Sequence, residues 1–85
     1  MVKVKLFWKP DCPICPAAKA LIANIDVDNV EYYNLDEANG LAEAVFYGIM
    51  STPSIVITND NGKEIHSWRG ELPSLDELQK CLQKP

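Results

Sequence analysis

Cys12 and Cys15 stand two residues apart in the stretch Lys9-Pro10-Asp11-Cys12-Pro13-Ile14-Cys15-Pro16, and that spacing can do chemistry. A dithiol that exchanges electrons needs one thiolate to attack a disulfide and a second thiol near enough to displace the mixed-disulfide partner. In that reading Cys12 attacks and Cys15 resolves. The same spacing also suits a pair of sulfur ligands for copper or zinc, the alternative carried forward here. The third cysteine, Cys81, neighbours Leu78 and Leu82 on a helical stripe and reads as a core or half-buried position. A zinc site built from Cys12, Cys15, Cys81 and His66 needs ligands from opposite ends of the chain, and His66 on an alternating strand reads as solvent-facing.

The elements around the pair decide how reactive it is. Val2 to Trp8 alternates and then becomes continuously apolar and aromatic, the pattern of a strand that starts at an edge of the core and ends inside it. From Ile14 onward Ala18, Leu21, Ile22 and Ile25 recur at helical spacing, so a helix is predicted to begin at or just after Cys12, with Pro13 in its first position. Pro16, deeper in, is predicted to open the first turn by removing the bond to the Cys12 carbonyl. A helix start stabilises an anion by up to about 2 kcal/mol, which lowers a thiol by somewhat over one pKa unit from a free value near 8.5. Cys15, one turn on, stays protonated and shielded. Lys9 and Lys19 favour the Cys12 thiolate and Asp11 opposes it, all three weakly because exposed charges are screened.

Asn24 to Asn29 links this helix to a second strand over Val30–Leu35, and strand, helix, strand implies a right-handed parallel crossover. Asn39 is the expected cap of a short second helix with Leu41, Ala44 and Val45 on its apolar face, ending at a left-handed Gly48. After Pro53, Ser54–Thr58 is a β-branched strand, Asn59–Gly62 a hairpin turn, and Lys63–Trp68 the antiparallel partner. Ser74 and Glu77 form a capping box for a last helix carrying Leu75, Leu78 and Leu82. Trp8 and Trp68 read as core or rim aromatics, with Trp8 also able to line a substrate surface. The predicted order is βαβαββα.

Length and charge narrow the function. Eighty-five residues make one domain, residues 1–85. The net charge is −4 with no run of like charge, so neither nucleic acid nor an anionic membrane has an electrostatic footprint, and a protein or small molecule is the expected partner. No stretch approaches the roughly 20 apolar residues of a membrane span, and the N-terminus lacks a signal-peptide core, so a cytoplasmic monomer is expected. Three cysteines, an odd number, argue against a disulfide framework.

With a short apolar strand, Cys12-Pro13-Ile14-Cys15 opening a helix, Thr52-Pro53 before a late strand, and the βαβαββα order, the chain resembles the thioredoxin-fold superfamily, in particular its small glutaredoxin-like members. The resemblance implies an α/β thioredoxin fold with a four-stranded mixed sheet flanked by three helices. It implies a protein dithiol–disulfide oxidoreductase acting on protein or small disulfides and re-reduced by a reductase or a small thiol. In that family the proline matching Pro53 is cis and lies against the cysteines, and the residue matching Thr52 offers backbone hydrogen bonds to an extended substrate; Trp8, Pro13, Ile14 and Gly70 complete the expected substrate surface. The chain departs from the family in two places. The buried acid that thioredoxins carry six residues before the first cysteine is Leu6 here. The Gly-Gly and acidic pair with which glutaredoxins hold glutathione is replaced by Trp68-Arg69-Gly70-Glu71-Leu72-Pro73, so no bound cofactor is expected, with glutathione the one candidate. Small copper chaperones also place a Cys-x-x-Cys after a first strand, but with a βαββαβ order.

Overall fold

Alternation in β1 (Lys3–Trp8) sends Val4 and Leu6 to one side and Lys5 and Phe7 to the other, and all four are buried, so this strand must be covered on both faces. The computed structural model describes residues 2–83 and shows how. β1 lies inside a four-stranded sheet of order β2-β1-β3-β4, with β2 (Val30–Asn34), β3 (Ser54–Thr58) and β4 (Glu64–Arg69). β1 runs parallel to β2 and antiparallel to β3, and β3 and β4 are antiparallel, the mixed sheet expected from the sequence. Three helices, α1 (Cys15–Ala23), α2 (Ala38–Phe46) and α3 (Leu75–Gln83), complete the βαβαββα order.

The two faces of the sheet bury separate clusters. Val4, Leu6, Ile55, Ile57 and Trp68 pack with Ala18, Ile22 and Ile25 of α1 and its exit, and with Leu78 of α3. Phe7 and Val56 pack on the other side with Leu35, with Ala44 of α2 and with Ile49. β3 is buried at all five positions, which is why Ile55, Val56 and Ile57 run on without polar alternation.

Local signals account for most element ends. Gly48, at φ +68°, ends α2: its amide donates to the Val45 carbonyl, and the Ile49 amide reaches back to Ala44 over 2.8 Å. The Ser74–Glu77 capping box forms in both directions, at 3.0 and 3.2 Å. Two expectations fail. Asn39 does not cap α2; the helix starts at Ala38 after an extended Glu37, with no side-chain cap. The cause is Asn34, whose side chain accepts the Asp36 amide and whose carbonyl accepts that of Glu37, turning the chain into the helix early. Gly40 then packs on this turn so closely that a Cβ there would lie 2.0 Å from the Asn34 carbonyl oxygen. β4 spans Glu64–Arg69 instead of Lys63–Trp68, because Thr58 pairs with Glu64 while Ile57 pairs with His66, leaving Ile65 as a bulge. No helix among the described residues is long and apolar enough to cross a membrane.

Candidate active site

The carboxyl end of β1 delivers the cysteine pair. After Trp8 the chain turns, the Cys12 amide donating to the Lys9 carbonyl over 3.2 Å and the Cys15 amide to the Cys12 carbonyl over 3.3 Å. The first α-helical bond, from the Ala18 amide to Ile14, follows, so α1 begins at Cys15 with Ile14 as its N-cap. The predicted start just after Cys12, with Pro13 as the first helical residue, is therefore two residues early. Pro13 lies ahead of the helix, in the turn, and Pro16 takes the second helical position, where a missing N–H costs nothing. The opened turn expected at Pro16 does not arise, because the Cys12 carbonyl already has Cys15 as its donor. Cys12 thus occupies the turn leading into the positive end of the α1 dipole and is not a residue of the helix.

Cys12 and Cys15 are joined as a disulfide, with their Cα atoms 5.4 Å apart. Their environments differ. Cys12 is half-buried, whereas Cys15 is 2% exposed on the same inward stripe as Ala18 and Ile22. Pro13 and Ile14 between them are exposed. Trp8, half-buried, carries the Lys19 ammonium over its ring, 3.3 Å from the centroid.

A second loop reaches this end of the sheet from β3. Ser54, the first residue of β3, pairs with Phe7 near the end of β1 and with Arg69 at the end of β4. The Thr52–Pro53 bond before it is cis, Thr52 half-buried and Pro53 buried. Gly70 closes the third side. Its amide donates to the Pro53 carbonyl over 3.0 Å and to the Ser54 hydroxyl over 3.2 Å, and that hydroxyl donates to the Ser51 carbonyl over 2.7 Å. With φ at +72° and space for a Cβ only 2.8 Å from Ser51 Oγ, the position suits glycine. Sequence reading singled out Gly70, Thr52 and Pro53 but missed the Ser51 and Ser54 groups that bind them together; a pair of serines flanking Thr-Pro was the available signal.

His66 is exposed and leans on Trp68, 4.5 Å between ring centroids, while Cys81 is half-buried in α3 against the Val4 and Leu6 cluster. Both line a groove with Val2 and Asp28, at the opposite end of β1 from Cys12. Among the described residues no group of three or more histidine, cysteine or acidic side chains is arranged to hold a metal ion.

The other feature the sequence reading missed is Lys5. It is 6% exposed, yet its ammonium binds Glu43 of α2 at 2.6 Å and Glu31 of β2 at 3.0 Å, with the Tyr33 hydroxyl at 3.4 Å. The Tyr33 hydroxyl in turn donates to Glu31 over 2.5 Å. Burial works against the charge, but the hydrogen bonds to Glu43, Glu31 and Tyr33 outweigh it and Lys5 titrates above its ordinary value. Glu31 is lowered to about 2, by the Tyr33 hydroxyl first and then, against burial, by Lys5 and Lys3. Tyr33 is raised to about 12 by burial and by its bond to Glu31. This network ties α2 and β2 to the strand that ends at the cysteines.

Comparison with known proteins gives one consistent answer. The family model described as Thioredoxin domain matches residues 2–83. Over 64 residues the sequence is 44% identical to the thioredoxin of Methanocaldococcus jannaschii, spanning 69% of this chain and 73% of that one. It is 37% identical over 62 residues to a probable thioredoxin of Archaeoglobus fulgidus, spanning 69% and 68%. The crystal structure of Trxlp from Edwardsiella tarda superposes with a TM-score of 0.78 at 17% identity, covering 98% of this chain and 82% of that one, a likeness of fold.

Proposed function

The chain belongs to the thioredoxin domain family, and from that premise we propose that it is a dithiol–disulfide oxidoreductase in which Cys12 attacks and Cys15 resolves. The observation that carries this reading is the asymmetry of one bonded pair: Cys12 can be approached from solvent and Cys15 cannot. In the reduced form the Cys12 thiolate attacks one sulfur of a substrate disulfide, that S–S bond breaks, and the departing sulfur leaves as a thiolate. Cys15, deprotonated in turn, attacks Sγ of Cys12, displaces the remaining substrate sulfur and leaves the Cys12–Cys15 disulfide. The substrate gains two electrons and two protons, and the dithiol is restored by a reductase or a small thiol.

The turn before α1 supports the attacking role, since free amides and the helix dipole favour an anion there and Cys15, inside the first turn, is screened by protein. Leu6, fully buried in an apolar cluster, stands six residues before Cys12, where thioredoxins carry a buried acid, so the substrate's leaving thiolate serves as the base for the Cys15 proton. The Thr52 backbone is suited to pair with an extended segment, and Trp8, Pro13, Ile14, Pro53 and Gly70 form its surroundings. The stretch Trp68-Arg69-Gly70-Glu71-Leu72-Pro73 lacks the Gly-Gly and acidic pair of glutaredoxins, which favours a thioredoxin-type use of this loop, on protein disulfides and without a resident cofactor, over glutathione binding. Turnover with insulin as disulfide substrate tests the reading. Cys12→Ser should abolish reduction, and Cys15→Ser should accumulate a mixed disulfide visible by mass. Reduction that survives Cys12→Ser would end the proposal.

A further inference from the structure

Trp8 and Lys19 meet beside the cysteine pair from two different elements. Trp8 is the last residue of β1 and alternates onto the face of Val4 and Leu6, the side that α1 covers. Lys19 lies one turn beyond Cys15 on α1, and its ammonium stands 3.3 Å from the centroid of the Trp8 ring. Helix side chains lean toward the amino end of their helix, so Lys19 reaches back over the turn that holds Cys15. The ring it lies on directly precedes the turn closed by Lys9 and Cys12. One ammonium is thus held from both sides at the entrance of α1. A ring carries no net charge, so the contact orients this ammonium without neutralising it.

The other charges around Cys12 are held differently. Lys9 and Asp11 on its own turn and Glu71 after Gly70 are exposed, and the loop Ser51-Thr52-Pro53 brings no ionisable side chain. Lys19 is half-buried. Water and salt screen the three exposed charges strongly and Lys19 less. Sequence reading weighed Lys19 as one exposed charge among several, whereas the structure lays it on Trp8. We propose that Lys19 is a positioning residue of the dithiol: seated on Trp8, its ammonium stabilises the Cys12 thiolate over the thiol and sets how much of the attacking form is present at neutral pH. The inference rests on the oxidoreductase reading above and adds to the turn before α1 a second source of positive potential.

Iodoacetamide, small enough to need no substrate surface, reads the thiolate directly. Fully reduced protein is alkylated across a pH series and labelling at Cys12 is followed by peptide mapping; the thiolate forms a bond to the reagent's carbon as iodide leaves with the electron pair. Lys19→Met should raise the midpoint of this titration by about half a unit, so that labelling below the midpoint slows about threefold. Lys19→Arg keeps a cation that stacks on an aromatic ring and should hold the wild-type midpoint. Trp8→Leu releases the ammonium into solvent and should raise the midpoint by a smaller step. Lys9→Met, which removes an exposed charge, should move it less than Lys19→Met does. An unchanged midpoint in Lys19→Met, an equal rise in Lys19→Arg, or a larger rise in Lys9→Met overturns the proposal while leaving the oxidoreductase reading in place. Insulin reduction by the wild type is measured in parallel. Labelling that follows the expected shifts in a protein that reduces no insulin overturns the oxidoreductase reading and leaves Lys19 assigned to the thiolate.

Discussion

The amide of Gly70 donates to the carbonyl of Pro53 over 3.0 Å, so the exit of β4 holds the loop that enters β3. Gly70→Ala meets two obstacles, a left-handed φ of +72° and Ser51 Oγ at 2.8 Å. We expect a loss of about 1–2 kcal/mol from the backbone alone. Because the strained residue adjoins Pro53, peptide turnover should fall with it. Adding Ser51→Gly removes the clash but not the strain, so it should restore only part of the urea midpoint. Full restoration would show that the φ angle is unimportant.

Lys5 makes the second prediction. Taking both carboxylates away with Glu31→Gln and Glu43→Gln leaves an ammonium that is 6% exposed without a counter-charge, which should cost about 3 kcal/mol. Lys5→Met should cost less, because it leaves the two acids at 37% and 29% side-chain exposure, where water can reach them. Urea unfolding of the three proteins orders these costs directly.

The same network shapes the pH dependence of stability. Glu31 titrates at about 2 in the fold against an ordinary 4.5, so its contribution is fully present above about 4.5 and is lost as pH falls toward 2. Tyr33, raised from 10.0 to about 12, contributes below 10 and is lost as pH rises through 12. Stability should therefore hold a plateau between these limits, as far as these two groups decide it. Tyr33→Phe should erase the alkaline fall and move the acid fall to higher pH, since it deletes the main donor to Glu31. Urea midpoints measured from pH 2 to 12 at fixed ionic strength show whether both limbs respond.

Alkylation of the reduced protein gives the fourth prediction. Half-buried Cys12 should react first with iodoacetamide, on the order of tenfold faster than Cys15, the ratio that one pKa unit of thiolate population yields. Peptide mapping of a short time course reads the order. Faster labelling of Cys15 would reverse the roles assigned to the pair.

Much of this architecture follows from short-range rules, and those parts are legible in the residues. Alternation in β1, the β-branched run of β3, the turn around Asn59 and Gly62, the glycine stop at Gly48 and the Ser74–Glu77 box each depend on neighbours within a few positions. The Cys12–Cys15 pair belongs with them, since its spacing alone brings two sulfurs within bonding reach. The start of α1 is not legible because two prolines within four positions, Pro13 and Pro16, fit more than one helix register, and the bond from the Cys15 amide to the Cys12 carbonyl decides between them.

By itself, then, the sequence determined the order of elements, the thiol chemistry and the residues that flank it, because periodicity, capping and turn formation act over distances the chain spans locally. Only the tertiary structure decided what meets across the sheet. Lys5 reads as a strand lysine until Glu31, Tyr33 and Glu43, which lie 26, 28 and 38 residues away, converge on it. Gly40, within α2, has its reason only in Asn34, whose carbonyl occupies the space of its Cβ. Gly70 meets Pro53, and Met50, Leu41 and Lys9 come to line one groove, for the same reason: packing joins residues by the topology of the whole sheet, which no local pattern encodes.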